Sequence, residues 1–514
     1  RRHTRYPLVT GVQTCALPIY RAVRRAWRRS AALPAGPERS HARLKIAATW
    51  AQRALLEEVI APGDLGDTAS IGNRIALLLG SAAIATPYIA SAGYHAAEAR
   101  HARGIDRAFF GGDATPPRRT LMLTDTFTQL NGVAGTMRRL ADRVADLDLP
   151  ITVVTPGDRS HRTRSLITVE PLITLPVPAY RDSDLSLAVP SAIELLDIIE
   201  DTGADAIHAA TPGPMGLLGM LLARALGLPF AITHSTQLAR YTLALTGDRL
   251  AAEAVRATST WLYRQADLVF APTRLVADGL VAEGIDRDRV RVFGRGVDTH
   301  QFSPMRRSRF ARRSLTRDRD AVVVLAVARL SEEKGLDRLI DAVDEVARRG
   351  HLVRLAIVGD GPARPALEQR LEHSQHRLLG AIRGPRLASV YASADVFCLP
   401  SQTETLGQVV LEAQASGLPA VVPAGTALAE QVVDGVSGLL ADSSSARDIA
   451  DALERIVADD ALRARLAEGA RATMAARPTW DDVFLGLVAD YEALHRHDAV
   501  AALMERRPIE AGVL

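Results

Sequence analysis

The stretch Ser401–Pro419, SQTETLGQVVLEAQASGLP, predicts a turn followed by a helix. The apolar run directly before it, DVFCLP at residues 395–400, is typical of a buried strand. After the polar turn, apolar residues recur at helical spacing, and Gly417 and Pro419 end the helix. The polar turn therefore lies at the carboxyl end of a strand, which is where open α/β sheets bind ligands.

Two carboxylates belong to this unit, Glu404 in the turn and Glu412 on the helix. If the helix includes both, they stand on the order of 12 Å apart along its axis. The backbone N–H groups of Thr405, Leu406 and Gly407 are predicted to open the helix and to form an anion site. Two carboxylates that bind polyols, with an anion site between them, fit the hexose, diphosphate and ribose of a nucleotide sugar. The alternative interpretation is an ordinary strand–turn–helix whose glutamates are solvated.

Strands and helices alternate from Arg119 onward, which predicts an α/β fold with parallel sheets covered on both faces. A second series begins near Ala321, after the polar, arginine-rich stretch 303–320, which is the predicted hinge. We expect two facing Rossmann-like domains with a cleft between them. The predicted strands are 120–124, 151–155, 206–210, 229–233 and 268–271 in the first half, and 322–328, 354–358, 378–382, 395–399 and 420–422 in the second.

The charge of the chain is concentrated at its beginning. Of the net charge of +3, the first 50 residues contribute eleven basic residues against one acidic residue, so residues 51–514 carry −7. This balance argues against a nucleic-acid partner for the main body. The two cysteines, Cys15 and Cys398, form neither a disulfide framework nor a zinc spacing, and their number suits a reducing cytoplasm.

The N-terminal region is predicted to divide into a sequencing artefact and a helical segment. Residues 9–19, VTGVQTCALPI, resemble a translated sequencing adaptor, so we exclude residues 1–19 from the fold and expect the natural start to be missing. Residues 20–115 are predicted to be a helical segment or a truncated upstream domain. Within it, Arg21–Ser30 predicts either a basic helix for an anionic membrane surface or a solvated arm. The uncharged run Ile75–Tyr94 is interpreted as a buried helix, with a membrane segment as the alternative.

Polar residues follow several other predicted strands. Asn131 and Gly132 open a helix, and Gly132 would allow a ligand to approach the backbone closely. His234 follows the strand at 229–233, although a lone histidine is more often a structural residue. Arg329 and Lys334 are suited to clamping a diphosphate, whereas either one alone is usually a solvated charge. A dinucleotide-binding pattern G-x-G-x-x-G is missing at these positions, which argues against a dehydrogenase.

Over roughly residues 119–495 these motifs resemble the retaining family 4 glycosyltransferases, which have the GT-B fold. The "NGV" loop and the spacing of the two glutamates resemble members that glycosylate membrane lipids with mannose, glucose or sulfoquinovose. One departure is Arg295, where many members carry Asn, and residues 20–115 have no counterpart in the family core. The motifs that carry the resemblance are NGV at 131–133, HS at 234–235, GRGVDTHQFSP at 294–304, RLSEEKG at 329–335, VGDGP at 358–362, YASADVFCLPS at 391–401 and the stretch around Glu404 and Glu412.

The resemblance implies a role for each of these residues. Glu412 would bind the donor ribose, and Glu404 the donor hexose. Arg329, Lys334 and the amides near Thr405, Leu406 and Gly407 would stabilise the leaving diphosphate, and His234 would contact the transferred sugar. Asn131, Gly132 and Gly359 would complete the donor site. We expect neither a catalytic metal nor a cofactor.

The predicted domains are an N-terminal Rossmann-like acceptor domain (116–302), a C-terminal Rossmann-like donor domain (303–478) and a terminal helix and tail (479–514). The predicted function is the transfer of a hexose from a nucleotide sugar to a lipid or glycan. The expected location is cytoplasmic, with peripheral attachment at the inner membrane face. Alternatives are a sugar-nucleotide epimerase or phosphorylase of the same fold, or a non-catalytic module that binds nucleotide sugars.

Overall fold

The computed structural model describes residues 37–60, 84–94, 98, 118–129, 131–157, 161–176, 186–235 and 237–504. The predicted artefact at residues 1–19 and the basic segment Arg21–Ser30 lie outside the described residues. The same holds for the part of the run Ile75–Tyr94 that precedes residue 84.

Most of the first half of the chain folds around a seven-stranded parallel sheet, whose strands run in the order β3-β2-β1-β6-β7-β8-β9. A separate antiparallel hairpin, β4-β5, follows the third strand. The strands are β1 Arg119–Leu123, β2 Ile151–Pro156, β3 Leu166–Val169, β4 Ile173–Pro176, β5 Ser186–Val189, β6 Ala204–Ala209, β7 Phe230–Thr233, β8 Leu268–Ala271 and β9 Val290–Val292.

The second half folds around a six-stranded parallel sheet in the order β12-β11-β10-β13-β14-β15. Its strands are β10 Val322–Val327, β11 Val353–Val358, β12 Arg377–Leu378, β13 Val396–Cys398, β14 Ala420–Pro423 and β15 Gly438–Ala441. The predicted architecture of two parallel-sheet halves is confirmed.

Helices connect the strands of both sheets. In chain order they are α1 Pro37–Ile60, α2 at 84–94, α3 Gly132–Asp146, α4 Ala192–Thr202, α5 Pro214–Leu226, α6 Leu238–Thr246, α7 Arg249–Arg264, α8 Arg274–Ala282, α9 Arg309–Leu315, α10 Leu336–Arg348, α11 Arg364–Leu371, α12 Gly384–Ser393, α13 Gln408–Ala415, α14 Ala446–Ala458, α15 Asp460–Ala475 and α16 Trp480–Met504. Single 3-10 turns lie at Arg287–Arg289, Pro304–Arg306, Glu332–Lys334 and Ala429–Gln431.

Each sheet is buried on both faces, which explains why its strands are continuous apolar runs. Strand β10 illustrates this, because Val323, Val324 and Leu325 are all fully buried although they alternate between the two faces. All ten predicted strands are present, although the one expected at 378–382 is only Arg377–Leu378. The pattern did not predict β3, β4, β5, β9 or β15, each of which has only three or four residues.

The last helix returns to the first sheet. On α16, Phe484, Leu487 and Tyr491 are buried in the core between that sheet and α3. At the start of the helix, Arg143 Nε donates to Asp481 Oδ1 at 2.9 Å. The returning helix therefore closes one face of the first sheet.

The described helices of the N-terminal segment pack against the first half of the chain, which is built around the seven-stranded sheet. On α1, Leu56 packs against Leu172 and Ile173, and Lys45 pairs with Asp197. On α2, Ala92 joins the core beside α5. Among the described residues, no helix combines the length and the apolar character needed to cross a membrane.

The stretch predicted as a hinge, 303–320, is more than a linker. It contains α9, on which Ala311 and Leu315 are buried against the second sheet unit. Ser308 N also donates to Ser393 Oγ at 3.0 Å, which ties the segment to α12. The sequence analysis did not predict α9, because this stretch is mostly polar and only two apolar side chains anchor so short a helix.

Candidate active site

The turn 401–407 between β13 and α13 forms the centre of the site. The helix begins at Gln408, not at Thr405 as predicted, so Thr405, Leu406 and Gly407 form the turn before it. Gly407 has φ 87°, and a Cβ there would lie 2.2 Å from Leu428 Cδ2, so only glycine fits. Because Glu404 lies outside the helix, the helical rise does not set its separation from Glu412.

Lys334 and Glu404 meet in an ion pair. Lys334 lies in the loop after β10, and its Nζ is 2.7 Å from Glu404 Oε1. The two side chains keep only 16% and 24% of their exposure. Strands β10 and β13 are neighbours in the sheet, so the loops that follow them meet at one edge. Arg329 lies in the same loop as Lys334. The sheet thus brings together a cation and a carboxylate that are 70 residues apart in the chain.

Glu412 occupies a largely buried position on α13. Tyr391 Oη donates a hydrogen bond to Glu412 Oε2 at 3.1 Å. Burial raises the pKa of the Glu412 carboxyl to about 7, against the opposing effects of the Tyr391 bond and of the positive charge of Arg139. Arg139 belongs to α3 of the first half and stacks over Trp480, with 5.2 Å from its Cζ to the ring centroid. Sequence reasoning missed Arg139, although it lies on the helix that Asn131 opens.

Gly359 follows β11 and has a packing reason of its own. Its φ is 154°, and a Cβ there would lie 1.8 Å from the carbonyl oxygen of Ala328. The loop after β11 therefore rests on the backbone that leads to Arg329. This contact explains the glycine without a ligand, and its predicted contact with a donor stays a prediction.

Asn131 caps helix α3. Its Oδ1 accepts a hydrogen bond from Ala134 N at 2.8 Å, and the backbone at Asn131 is extended. Gly132 is exposed, and a Cβ there would meet no atom within 4 Å. The residues thus form a well-capped helix start that is open to solvent, as an anion site requires.

His234 lies at the carboxyl end of β7. Its ring packs against Tyr263 with 5.3 Å between the ring centroids. The Nδ1 atom is buried and has no hydrogen-bond partner among the described residues. Burial lowers the pKa of this imidazole to about 4, so it is neutral at physiological pH. A buried ring nitrogen without a partner is available to a ligand.

Hydrogen bonds join the two halves of the site. Thr405 Oγ1 donates to the carbonyl oxygen of Ser235 at 2.9 Å, and Thr273 Oγ1 donates to that of Thr405 at 3.3 Å. Since Ser235 follows His234 and Thr405 follows Glu404, these bonds bring the predicted residues of both halves to one cleft.

Glu430 adds a second junction between the halves. Its carboxylate accepts hydrogen bonds from Arg274 N at 2.9 Å and Leu275 N at 2.5 Å, which are the first two amides of α8. A carboxylate from the second half therefore caps a helix of the first half. Sequence reasoning did not single out Glu430, because the cap exists only across the cleft.

We expect Glu430→Ala to open the cleft. The loss of one helix-cap charge should shift the equilibrium between closed and open forms by about two- to fivefold. Small-angle scattering of the unliganded protein should show a larger radius of gyration. Glu372→Ala is the matched control, because it removes an exposed carboxylate directly after the C-terminal end of α11. An unchanged radius for Glu430→Ala would show that this cap does not hold the halves together.

A cavity of about 180 Å³ lies at the carboxyl ends of β1 and β2, and sequence reasoning missed it. At its wall, burial raises the pKa of Asp125 to about 6, although Thr211 Oγ1 and Met215 N both donate to the carboxylate. The cavity is lined by Asp125, Phe127, Thr128, Gln129, Thr155, Pro156, Gly157, Pro171, Thr174 and Ala188.

Two further residues that the sequence analysis named, Cys398 and Arg295, have structural roles. Cys398 is buried in β13, as predicted, and burial raises the pKa of its thiol. Arg295 lies with its Cζ 4.9 Å from the ring centroid of Phe293, and burial lowers its pKa to about 10. In the part of the chain that the structure describes, no three His, Cys, Asp or Glu side chains are grouped as metal ligands would be.

Comparison with known proteins matches both halves of the chain to family models. The model described as glycosyltransferase family 4 matches residues 130–301, and the one described as glycosyl transferases group 1 matches residues 308–473. The chain is similar to a GDP-mannose-dependent alpha-mannosyltransferase of Mycobacterium tuberculosis, with 31% identity over 383 residues that cover 73% of this chain and 97% of the relative.

It is also similar to the sulfoquinovosyl transferase of Arabidopsis thaliana, with 30% identity over 303 residues, and there it spans only 58% of each chain. Among solved structures, sucrose-phosphate synthase from Thermosynechococcus elongatus superposes with a TM-score of 0.59 at 20% identity. The match covers 74% of this chain and all of the synthase. At that identity the likeness concerns the fold.

Proposed function

Because this chain belongs to the family 4 glycosyltransferases of the GT-B fold, we propose that it transfers a hexose from a nucleoside-diphosphate sugar with retention of anomeric configuration. The observation that carries the proposal is the convergence of the Lys334–Glu404 ion pair with His234. The Thr405–Ser235 hydrogen bond holds them at one cleft. The alpha linkage in the name of the mycobacterial relative supports retention, because the mannose of its GDP-mannose donor is itself alpha-linked.

We assign the donor to the second half of the chain. Glu412, inside α13, accepts hydrogen bonds from the ribose hydroxyls, and Glu404 accepts from the hexose. Within the part of the chain that the structure describes, Lys334 Nζ bonds to Oε1 of Glu404 and leaves Oε2 for a sugar hydroxyl. Asn131, Gly132 and Gly359 complete the donor site.

The leaving diphosphate is stabilised by charge and by backbone amides. Arg329 and Lys334 supply two cations, and the turn of Thr405, Leu406 and Gly407 supplies N–H groups next to them. Fixed positive groups at the site of developing negative charge lower the barrier without reorganisation. We therefore propose that the reaction needs no metal ion and no cofactor.

His234 is proposed to position the transferred sugar from the first half. Its neutral ring and unpartnered Nδ1 suit a hydrogen bond to a sugar hydroxyl. His234→Ala should lower kcat at least about tenfold, the equivalent of about 1.4 kcal/mol, and leave the affinity for free nucleoside diphosphate nearly unchanged. Steady-state rates and calorimetric titration measure the two quantities. Equal losses in both would place His234 at the nucleotide and not at the sugar. His351→Ala is the control. His351 lies just before β11, and its ring contacts Glu454 on α14.

We propose that the acceptor is a lipid or a glycan and that it enters beside Asp125. The cavity there lies at the same edge of the first sheet as His234, because all seven strands are parallel. We further propose that the enzyme acts in the cytoplasm, at the inner membrane face.

A donor screen tests the proposal. UDP- and GDP-sugars are added singly, and the true donor should raise the unfolding free energy by about 2.7 kcal/mol at one hundred times its Kd. Turnover with that donor is then followed with candidate lipid and glycan acceptors, with and without chelator, and the anomeric configuration of the product is read by NMR. A screen without any stabilising nucleotide sugar would overturn the donor assignment. An inverted product would overturn retention, and activity that needs added Mg²⁺ or Mn²⁺ would overturn metal independence.

A further inference from the structure

Two large apolar side chains stand almost fully in solvent just after the chain passes to its second half. Met305 is 91% exposed, and Phe310 is 80% exposed. Single exposed apolar residues are common on protein surfaces. These two differ because both are nearly free of protein contact and lie only five residues apart, among arginines.

Four exposed arginines surround them: Arg306, Arg307, Arg309 and Arg313. None of the four has a carboxylate partner among the described residues. By contrast, Arg312, on the inner side of the same helix, donates to Asp395 Oδ2 at 2.6 Å. We call the outer group, namely Met305, Arg306, Arg307, Arg309, Phe310 and Arg313, the arginine patch.

The backbone presents the arginine patch in a fixed arrangement. On α9 the buried Ala311 and Leu315 face inward, so Arg309, Phe310 and Arg313 face outward together. The helix is anchored through Ser308, whose N donates to Ser393 Oγ at 3.0 Å and whose carbonyl oxygen accepts from the same hydroxyl at 3.2 Å. The patch is thus an ordered basic surface with two projecting apolar groups.

The surrounding protein has the opposite sign of charge. Residues 51–514 carry a net −7 although they include this patch, so its positive charge is local. A local cluster of arginines that lack carboxylate partners among the described residues attracts partners whose negative charges are closely spaced. The patch therefore complements an extended anionic partner and not a single ion.

We propose that the arginine patch docks the protein on an anionic phospholipid surface. The guanidinium groups would bind lipid phosphates, and Met305 and Phe310 would enter the boundary between headgroups and acyl chains. A nucleic acid would satisfy the arginines but would leave Met305 without a partner. The proposal goes beyond glycosyl transfer and does not rest on it, because membrane binding and donor binding are measured separately.

Sedimentation of the full chain with vesicles tests the proposal. Vesicles of phosphatidylcholine and phosphatidylglycerol in a 7:3 ratio should bind the protein, and pure phosphatidylcholine vesicles should not. Each arginine near the surface contributes about fivefold, so Arg307→Gln/Arg309→Gln/Arg313→Gln should weaken binding on the order of 100-fold. Met305→Ser/Phe310→Ser should weaken it by about tenfold and keep the salt dependence.

Two control variants separate the patch from charge in general. Arg249→Gln/Arg447→Gln/Arg465→Gln removes three exposed arginines elsewhere and should bind as the wild type does. A variant with glutamine at Arg21, Arg24, Arg25, Arg28 and Arg29 tests the N-terminal segment. Full binding by the patch variant, with loss in either control, would overturn the proposal. Absence of wild-type binding to anionic vesicles, or binding to duplex DNA in its place, would also overturn it. Nucleoside-diphosphate affinity and the unfolding midpoint should stay unchanged in the patch variants, which shows that they are folded.

Discussion

Lys334→Ala is expected to reduce turnover by about 100-fold or more. Its Nζ is 2.7 Å from Glu404 Oε1, so the substitution removes a diphosphate ligand and also leaves a half-buried carboxylate without its partner. The loss of one preorganised electrostatic group at a developing oxyanion costs about 3–4 kcal/mol. Affinity for the free nucleoside diphosphate should fall as well, by at least about tenfold.

The chain offers a matched control for this experiment. Its sequence contains only two lysines, Lys334 and Lys45. Lys45 is also partly buried and paired with an aspartate, but on α1, away from the cleft. Lys45→Ala should keep turnover and nucleotide affinity, and reductive methylation should be blocked by nucleoside diphosphate at Lys334 alone. Unchanged affinity in Lys334→Ala would remove this residue from the site.

Glu404→Gln completes a double-mutant cycle with Lys334→Ala. If the pair acts as a unit, the double variant should lose little more turnover than Lys334→Ala does. Independent losses that add in free energy would mean that Glu404 contacts the hexose without help from Lys334. Glu404→Gln alone should leave the affinity for free nucleoside diphosphate nearly intact.

Glu412→Gln is expected to have two effects of opposite sign. Hydrogen bonds from ribose hydroxyls to a carboxylate are worth about 1.5–3 kcal/mol, so nucleoside-diphosphate affinity should fall between about tenfold and 150-fold. The unliganded variant should nevertheless be more stable than the wild type in alkaline solution. Burial of the ionised carboxylate costs free energy, and glutamine accepts the Tyr391 hydrogen bond without that cost.

The pH dependence follows from the raised pKa of Glu412. A carboxyl whose pKa rises from 4.5 in the unfolded chain to about 7 in the folded protein binds its proton more tightly when folded. Its contribution to stability is therefore complete below pH 4.5 and is lost as the pH rises through 7. At pH 8 the variant should exceed the wild type by roughly 3 kcal/mol of unfolding free energy, and at pH 4.5 the difference should vanish. Denaturant unfolding at both pH values measures this.

The same titration should appear in ligand binding. The ionised form accepts the ribose hydroxyls, so wild-type affinity should weaken as the pH falls below about 7, and that of Glu412→Gln should be nearly flat. Glu372→Gln, an exposed carboxylate, serves as the control. A variant that gains stability at pH 8 but keeps full affinity would show that Glu412 is a buried structural carboxyl and does not bind ribose.

Local patterns in the sequence were sufficient to predict the two-sheet architecture. Apolar runs such as 322–328 predicted buried strands because both faces of a parallel sheet are covered. Glycine and proline marked where helices end, as Gly417 does after α13. Polar residues directly after strands pointed to the cleft, because parallel strands end at one edge of their sheet. These signals are local, so they could be recognised without knowing the contacts.

The tertiary structure alone decided how the site is assembled and charged. The Lys334–Glu404 pair spans 70 residues, and the Thr405–Ser235 bond spans 170. The Glu430 cap, the return of α16 and the burial that shifts the Glu412 pKa likewise depend on packing between distant segments. The start of α13 at Gln408 was mispredicted for the same reason, since Gly407 takes a left-handed conformation (φ 87°) and packs directly against Leu428, which is distant in sequence. Spacing along a chain limits which residues can meet locally, but strand order and core packing determine which distant side chains share one cleft and how far water is excluded from them.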